Sequence, residues 1–336
     1  MNWEQRSMDV YALGNALVDI LASVDDAFVE KLGFAKGSMN LVDTAKRTEI
    51  LKLLQGQPLE RKSGGSAANS MIAITQSGGN GIFAGKVAQD AEGQFFRHDL
   101  RDGGVTYDVA PGDPGIDPTG TSIILTTPDA ERTMCTHLGI SIALDAPDVV
   151  ESQIAQCKLC YIEGYLWSGP STRAAALRTM QLARKVGTRV SFTFSDSFLV
   201  QAFADSFRSE VLPHCDIVFC NRDEALQFTG ASNLSDAVRS IGEQVPMAFV
   251  TDGAHGAWIA HAGAVTTVAG YPAVAIDTVG AGDAFAGGVL YALARGAQPE
   301  MAARWGNALA SKVVEVRGPR LQSLPEELKQ TVGFDL

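Results

Sequence analysis

The sequence predicts an α/β fold in three layers, a mainly parallel β-sheet between two layers of helices, with a small β-sheet as a lid. In the second half of the chain, short apolar stretches alternate with segments of helical periodicity, which is typical of parallel strands linked by helices. Two stretches rich in short strands interrupt this alternation. We therefore expect a lid formed by residues 15–43 and 106–139, and a large domain formed by residues 1–14, 44–105 and 140–336.

The predicted strands are short apolar or alternating stretches bounded by turn-forming residues. They lie at residues 8–13, 18–24, 38–42, 82–87, 121–127, 131–137, 159–162, 189–194, 217–220, 247–251 and 257–260. The predicted helices have the periodicity of an amphipathic helix, and several end near glycine. They lie at residues 28–32, 44–55, 70–76, 93–102, 171–186, 223–229, 233–242, 282–295 and 299–316. Residues 63–69 are predicted to form a glycine-rich loop that opens a helix.

Composition favours a folded protein with a large core, since 46% of the 336 residues are hydrophobic and 19% are charged. The formal net charge of −11 argues against a nucleic-acid partner. No apolar run reaches the roughly 18 residues that a transmembrane helix needs, and residues 1–8 are too polar for a signal peptide. We therefore expect a cytoplasmic protein with no membrane partner.

The five cysteines are too few and too scattered for a disulfide framework. Cys157 and Cys160 have the C-x-x-C spacing of some metal and redox sites, but no second ligand pair has a convincing spacing. Both lie in an apolar stretch. We therefore expect them to be buried and structural.

The strongest local signal is Asp-Thr-Val-Gly-Ala-Gly-Asp at residues 277–283, followed by an apolar helical run. The small residues Gly280, Ala281 and Gly282 let the backbone approach a ligand closely. Free N–H groups at a helix N-terminus form a site for an anion. Asp283 has two interpretations: it stabilises the helix N-terminus, or it accepts the proton of a hydroxyl that attacks a phosphoryl group.

Other nucleotide-binding signatures are missing. There is no Walker A motif, because Val87 follows Lys86 and Asn80 stands where the first glycine would be. The sequence also lacks the catalytic motifs of protein kinases. No G-x-G-x-x-G follows the first predicted strand, which argues against an NAD-dependent oxidoreductase.

Four motifs in order resemble the ribokinase-like (PfkB) carbohydrate kinases. Residues 14–20 resemble that family's opening strand, residues 64–69 its N-terminal signature, residues 221–224 its N-x-x-E motif, and residues 277–288 its C-terminal signature. Within the family, the chain is most similar to bacterial adenosine kinases, through residues 36–39, 63–70 and 131–134 in addition to the opening strand.

The resemblance implies a ribokinase-like fold and ATP-dependent phosphorylation of a 5′-hydroxyl, with adenosine converted to AMP in purine salvage. Alternatives within the family are a kinase for ribose, fructose or a deoxy-gluconate, and an inosine or guanosine kinase. A nucleoside or nucleotide sensor that keeps the fold without catalysis is a further alternative. The expected partners are a small-molecule substrate and ATP with Mg²⁺. The oligomeric state stays open between monomer and homodimer.

The resemblance also implies residues that bind the acceptor. Asp19 would accept hydrogen bonds from two hydroxyls, which suits a cis-diol. Asn15 and Asn69 would contact the same sugar, and Gly64 and Gly65 would let the loop backbone approach it. The alternative for the asparagine and glycine positions is ordinary turn chemistry.

A purine would need an apolar pocket, for which five residues are candidates: Met39, Leu41, Met134, Tyr165 and Leu166. Apolar residues are more often part of a core than of a binding pocket, which is the competing interpretation. The resemblance implies that Arg132, in the predicted hairpin of the lid, reaches the substrate or phosphate when the lid closes. The alternative is that Arg132 is an exposed charge of the hairpin.

The resemblance places the nucleotide beside Thr251, Gly253 and Gly256, after a predicted strand, and places Asn307 near its adenine. These positions fit the rule that ligands of parallel sheets bind at the carboxyl ends of the strands. Asn221 and Glu224 would organise Mg²⁺ through water, and the same pair has the spacing of a helix capping box. Main-chain carbonyls of Asp277 and Thr278 would contribute to a K⁺ site.

Overall fold

The computed structural model of the chain describes residues 5–129 and 131–333. Within these residues the strands are β1 (Met8–Leu13), β2 (Leu17–Ser23), β3 (Met39–Leu41), β4 (Glu60–Gly64), β5 (Gly81–Ala84), β6 (Gly120–Thr126), β7 (Arg132–His137), β8 (Cys157–Glu163), β9 (Arg189–Thr193), β10 (Ile217–Asn221), β11 (Met247–Thr251), β12 (Ala257–His261) and β13 (Ala264–Val268).

The α-helices are α1 (Asp26–Leu32), α2 (Thr44–Leu53), α3 (Ser66–Gln76), α4 (Ala91–Asp102), α5 (Glu151–Gln156), α6 (Pro170–Val186), α7 (Ser197–Ser206), α8 (Arg222–Thr229), α9 (Leu234–Gly242), α10 (Ala281–Ala294), α11 (Pro299–Val313) and α12 (Glu327–Val332). The helices predicted in the second half of the chain are present within a few residues of their predicted ends. The sequence analysis missed α5, α7, α12, β4 and β13.

The larger sheet has eight strands in the order β13-β12-β11-β10-β9-β8-β1-β5. Neighbouring strands from β11 to β5 are parallel, and β12 pairs antiparallel with both β11 and the edge strand β13. Residues 10–13 of β1 are fully buried although successive side chains point to opposite faces. Both faces of the sheet are therefore covered, as expected for a parallel sheet between two layers of helices.

The second sheet has five strands in the order β3-β7-β6-β2-β4. The predicted hairpin is present as β6 and β7, which pair antiparallel. Strand β4 corrects the sequence analysis, which placed residues 60–64 in the large domain and read residues 63 and 64 as part of a loop. It pairs with β2 at the sheet edge, where the charged side chains of Glu60, Arg61 and Lys62 tolerate exposure.

The topology brings the ends of several strands to one place. Five adjacent strands of the large sheet are parallel: β1, β8, β9, β10 and β11. The segments that follow them therefore lie together at the carboxyl ends of the strands. The N-terminus of α10 faces these carboxyl ends, because Gly282 and Asp283 line cavities together with residues at these strand ends. Ligands of such sheets bind at the carboxyl ends of the strands.

The cysteines are buried and free, as the sequence predicted for Cys157 and Cys160. Burial raises the pKa of the Cys157 thiol to about 12. The described helices include none that is both long and apolar enough to cross a membrane.

Candidate active site

The loop before α10 has a backbone that only glycine fits well. Gly280 is the N-cap of α10 with φ of 79°, in the left-handed region. A side chain there would also collide with Pro319, whose Cβ would lie 2.7 Å from the added Cβ. The conformation and the close packing together explain why a glycine occupies this position.

The start of α10 presents free backbone donors. The first helical hydrogen bond runs from Ala284 N–H to Gly280 O at 2.8 Å. The Ala281 N–H donates to Thr278 O at 3.3 Å, so it is partly occupied. In the described part of the chain, the N–H groups of Gly280, Gly282 and Asp283 have no acceptor, so they are available to an anion.

Asp283 stands in the first turn of α10 with both carboxylate oxygens bound. Ser66 Oγ donates to Oδ1 at 2.6 Å, and Asn69 Nδ2 donates to Oδ2 at 2.9 Å. Removal from water raises the pKa of Asp283, and the two hydrogen bonds and the charge of Arg320 oppose this rise. The carboxylate is therefore held in one orientation and remains able to accept a proton.

A cavity of about 390 Å³ opens between the two sheets, next to Asp283. Its inner end is polar, with Asn15, Asp19 and Asn69 in its lining. Its outer end is apolar and is lined by the exposed or half-buried side chains of Met39, Leu41, Met134, Leu138, Tyr165 and Phe198. Met39 and Leu41 are 40% and 65% exposed, so the cavity is open on the lid side. We call this space the acceptor cavity.

Asp19 is buried at the inner end of the acceptor cavity, in β2 of the five-stranded sheet. Among the described residues, no donor forms a hydrogen bond with its carboxylate. Burial raises the pKa of Asp19 to about 7, the charge of Asp283 adds to this rise, and Arg320 and Lys62 oppose it. An unpaired carboxylate facing a cavity is suited to receive hydroxyl donors from a ligand.

Gly64 leaves the space that Asp19 occupies. A Cβ on Gly64 would overlap Oδ1 of Asp19 and would lie 2.6 Å from Oδ2. Gly64 itself is absent from the cavity lining, whereas its neighbour Gly65 lines the cavity. The two glycines therefore differ in role: one accommodates a carboxylate, and the other borders the ligand space.

Asn15 is positioned by Glu163, a residue that the sequence analysis missed. Glu163 Oε1 accepts from the backbone N–H of Asn15 at 2.7 Å and from Asn15 Nδ2 at 2.9 Å, and Oε2 accepts from Ala67 N–H at 2.9 Å. Burial raises the pKa of Glu163 to about 7, against these hydrogen bonds. Glu163 thus joins the end of β8 to the loop after β1 and to the start of α3.

A second cavity, of about 380 Å³, lies on the other side of α10 and is mainly apolar. The predicted nucleotide residues Thr251, Gly253, Gly256 and Asn307 line it, together with Ala281 and Gly282. Asn307 Nδ2 donates to the carbonyls of Val268 and Ala269, at 3.2 and 3.1 Å. Its amide oxygen is therefore the group left for a ligand. We call this space the nucleotide cavity.

A smaller cavity of about 120 Å³ connects the region of Asp283 with Asn221 and Glu224. Asn221 and Glu224 form a capping box: Glu224 N–H donates to Asn221 Oδ1 at 2.9 Å, and Asn221 N–H donates to Glu224 Oε2 at 3.0 Å. Burial raises the pKa of Glu224 to about 7. Oxygen groups dominate the polar lining of this cavity, which suits a hard cation that keeps its waters.

Like Gly64, three other predicted site residues line none of these three cavities. Leu166 is fully buried in the core and does not line the acceptor cavity, so its assignment to the pocket was wrong. Arg132 pairs with Asp277 and lines a separate open cleft. Asp277 accepts hydrogen bonds from Val279 N–H at 3.1 Å and Gly318 N–H at 2.6 Å, which shapes the loop before α10. Thr278 lines the nucleotide cavity.

In the described residues, no group of three or more His, Cys, Asp or Glu could hold a metal ion by side chains alone. Any cation here would therefore depend on water, main-chain carbonyls or the oxygens of a ligand.

Besides Glu163, the sequence analysis missed Ser195 and Arg320. Ser195 has a φ of 68° and lines both the acceptor cavity and the small cavity. A signal existed for Glu163, because a lone carboxylate ends an apolar stretch that reads as a parallel strand. No local pattern marks Ser195 or Arg320.

Comparison with known proteins gives one family. The family model of the pfkB family carbohydrate kinases matches residues 30–327. The crystal structure of a probable sugar kinase from Rhizobium etli CFN 42 is similar with a TM-score of 0.89 and 35% identity, covering 98% of this chain and 100% of that one.

The crystal structure of adenosine kinase from Sinorhizobium meliloti has a TM-score of 0.86 and 36% identity, covering 97% of this chain and 98% of that one. The 5-dehydro-2-deoxygluconokinase of Bacillus subtilis (strain 168) is 25% identical over 340 residues, 98% of this chain and 97% of the relative. The three names indicate different acceptors, so the acceptor has to be inferred from the chemistry of the cavity.

Proposed function

Because this chain belongs to the pfkB family of carbohydrate kinases, a family of phosphotransferases that act on hydroxyl groups of sugars or nucleosides, we propose that it phosphorylates the 5′-hydroxyl of adenosine with ATP. The product would be AMP, which places the enzyme in purine salvage.

One observation carries the proposal: the N-terminus of α10, with Gly282 and Asp283, borders both ligand spaces. Asp283 lines the acceptor cavity and the small cavity, and the adjacent Gly282 lines these two and also the nucleotide cavity. A hydroxyl in one space and a phosphoryl donor in the other would therefore meet at the N-terminus of α10. This is the arrangement that phosphoryl transfer needs, since positioning and charge stabilisation supply most of its catalysis.

The outer end of the acceptor cavity supports a nucleoside over a bare sugar. A ribose at the polar inner end would satisfy Asp19 and Asn15, while a flat purine would cover the apolar side chains of Met134, Tyr165 and Phe198. A free sugar carries hydroxyl groups on every side and would leave these apolar surfaces in contact with water.

In the proposed mechanism, Asp283 accepts the proton of the 5′-hydroxyl as its oxygen attacks the γ-phosphorus of ATP. The bond to the bridging oxygen of ADP breaks, and ADP leaves with that electron pair. The free N–H groups of Gly280, Gly282 and Asp283 stabilise charge on the transferring group. Closure of the lid sheet over the acceptor cavity would exclude water, and Arg132 would reach the phosphate if it exchanged Asp277 for that partner.

Kinases of this family use ATP with Mg²⁺. In this chain, Asn221 and Glu224 would hold Mg²⁺ through water, where the ion would neutralise charge on the phosphates. Main-chain carbonyls of Asp277 and Thr278 would contribute to a K⁺ site, although the Thr278 carbonyl already accepts from Ala281 N–H. Equal rates in K⁺ and in a bulky organic cation would reject the K⁺ site.

A second candidate is a sugar kinase. It is favoured by the names of the Rhizobium and Bacillus relatives, and by the polar inner end of the cavity, which a sugar alone could fill. A coupled assay of ADP release separates the two, with MgATP against adenosine, inosine, guanosine, ribose and fructose. Turnover with adenosine supports the proposal. Turnover with a sugar and none with adenosine keeps the kinase but rejects the nucleoside assignment.

A further inference from the structure

Arg320 connects the C-terminal segment to three elements around the active site. Its Nε donates to Asn69 Oδ1 at 2.7 Å, and its Nη1 donates to Ser63 Oγ at 2.8 Å and to Asp99 Oδ2 at 3.4 Å. Ser63 in turn donates to the same Asp99 oxygen from its N–H, at 3.0 Å, and from its Oγ. The guanidinium is thus fixed between β4 and α4 on one side and α3 on the other.

This contact decides which way the Asn69 amide points. A guanidinium carries only hydrogen-bond donors, so its partner on Asn69 must be the amide oxygen. The NH₂ group of Asn69 is then turned towards Asp283, to which it donates at 2.9 Å. If the amide were reversed, NH₂ would face the guanidinium and an oxygen would face the carboxylate, and both contacts would be repulsive.

Charged groups from several elements surround the guanidinium. Asp283 on α10, Asp19 on β2, Asp99 on α4 and Lys62 on β4 all act on this cluster, and Glu163 on β8 interacts with Asp283. Arg320 lowers the pKa of Asp19 and of Asp283, in opposition to burial. The side chain is 8% exposed, so water screens this effect only weakly.

One nitrogen of the Arg320 guanidinium is left unsatisfied by the residues that the structure describes. Its Nη2 is buried and, among the described residues, has no hydrogen-bond partner. An unpaired buried donor destabilises the folded state.

We propose that Arg320 is a positioning residue for phosphoryl transfer: it fixes the amide of Asn69 so that Asn69 orients Asp283. This inference rests on the proposed role of Asp283 as the base. Arg320 does not line the acceptor cavity, so it acts through its neighbours.

The test compares Arg320→Met and Arg320→Lys with wild type in kcat, KM and the pH profile of kcat/KM for the accepted substrate. Arg6→Met is the matched control. Arg6 is also a buried arginine, and it donates hydrogen bonds to the carbonyls of Cys157 and Val186 at 2.6 Å each. It precedes β1 and so lies at the amino ends of the strands, away from the active site at their carboxyl ends.

Arg320→Met should lower kcat about tenfold or more, because the base loses its orientation. It should also move the acid limb of the pH profile upward by about one unit, since a positive charge beside two carboxylates is lost. Arg320→Lys keeps the charge and loses the planar fork, so kcat should fall while the acid limb stays near that of wild type. Arg6→Met should leave the pH profile unchanged.

A folded Arg320→Met enzyme with the kcat and pH profile of wild type would overturn the inference. If that variant does not fold, Arg320→Lys decides, and a wild-type kcat would then reject the positioning role. A failure of the proposed function would be distinguished from a failure of this inference by either of two other results. Either wild type shows no turnover with any acceptor, or Asp283→Asn retains the kcat of wild type.

Discussion

The carboxylate of Asp19 occupies the space next to Gly64 that any side chain at position 64 would need. Asp19 is on β2 and Gly64 is at the end of β4, and the two strands are neighbours in the five-stranded sheet. The glycine is therefore required by the space that the Asp19 carboxylate occupies and not by its own backbone, since no positive φ is found at Gly64.

Gly64→Ala should displace Asp19 and weaken acceptor binding. We expect KM for the acceptor to rise about tenfold or more, because small displacements of positioned groups have effects of this size. Steady-state kinetics measure it, with KM for ATP as the internal control. Unchanged acceptor KM in a folded variant would contradict the role given to Asp19.

Gly282→Ala should separate stability from activity. An added Cβ at Gly282 meets no protein atom within 4 Å, and the residue lies in the first turn of α10, so alanine should stabilise the helix by up to about 1 kcal/mol. The methyl group would project where the three cavities meet, so kcat/KM should fall. Thermal unfolding measures the stability of Gly282→Ala, and steady-state kinetics on the same preparation measure its kcat/KM. Full activity would show that no ligand passes close to Gly282.

Asp19→Asn should stabilise the protein at alkaline pH. Asp19 titrates near 3.8 when unfolded and near 7 when folded, so the folded state holds its proton more tightly. The stability from this proton is complete below about pH 4 and is lost as pH rises through 7. At pH 8, Asp19→Asn should therefore raise the free energy of unfolding by on the order of 4 kcal/mol at most.

That gain should shrink towards zero as pH falls to 4. Denaturant unfolding at pH 8 and pH 4 measures it. Asp205→Asn is the control, because the Asp205 side chain is fully exposed. A gain for Asp19→Asn that is the same at both pH values would contradict the raised pKa.

Acceptor binding should weaken in acid. Protonation of Asp19 removes a charged acceptor of hydroxyl hydrogen bonds, so acceptor KM should rise as pH falls below about 7. The rise should be absent in Asp19→Asn, whose KM is high throughout. Measurement of acceptor KM between about pH 5.5 and 8.5 tests this. Protonation of Asp283 is expected to lower kcat in acid, which is a separate effect.

The fold was largely predictable because the large sheet consists of contiguous apolar strands alternating with helices of clear periodicity. Strand β4 was missed because Glu60, Arg61 and Lys62 have no apolar pattern, and their strand conformation depends on pairing with β2. Such edge strands are specified by a distant partner and not by local sequence.

The sequence analysis singled out Asp283, Asp19, Asn15 and Asn69 because motifs hold them at fixed spacings, and the structure places all four in the lining of one cavity. The contact of Asn69 with Asp283 was not foreseen. Glu163 and Arg320 act across 148 and 251 residues of sequence separation, so only the folded chain shows their partners. Leu166 was misplaced because an apolar stretch does not reveal which side chain faces a cavity and which faces the core.

The most direct test of the central claim is kcat for Asp283→Asn with MgATP and adenosine, alongside the affinity of the variant for adenosine by calorimetry. Asparagine keeps the shape of the side chain but cannot accept the proton. We predict that kcat falls by at least ~100-fold while adenosine affinity changes little. A kcat near that of wild type, in a variant that folds and binds adenosine, would contradict the assignment of Asp283 as the base.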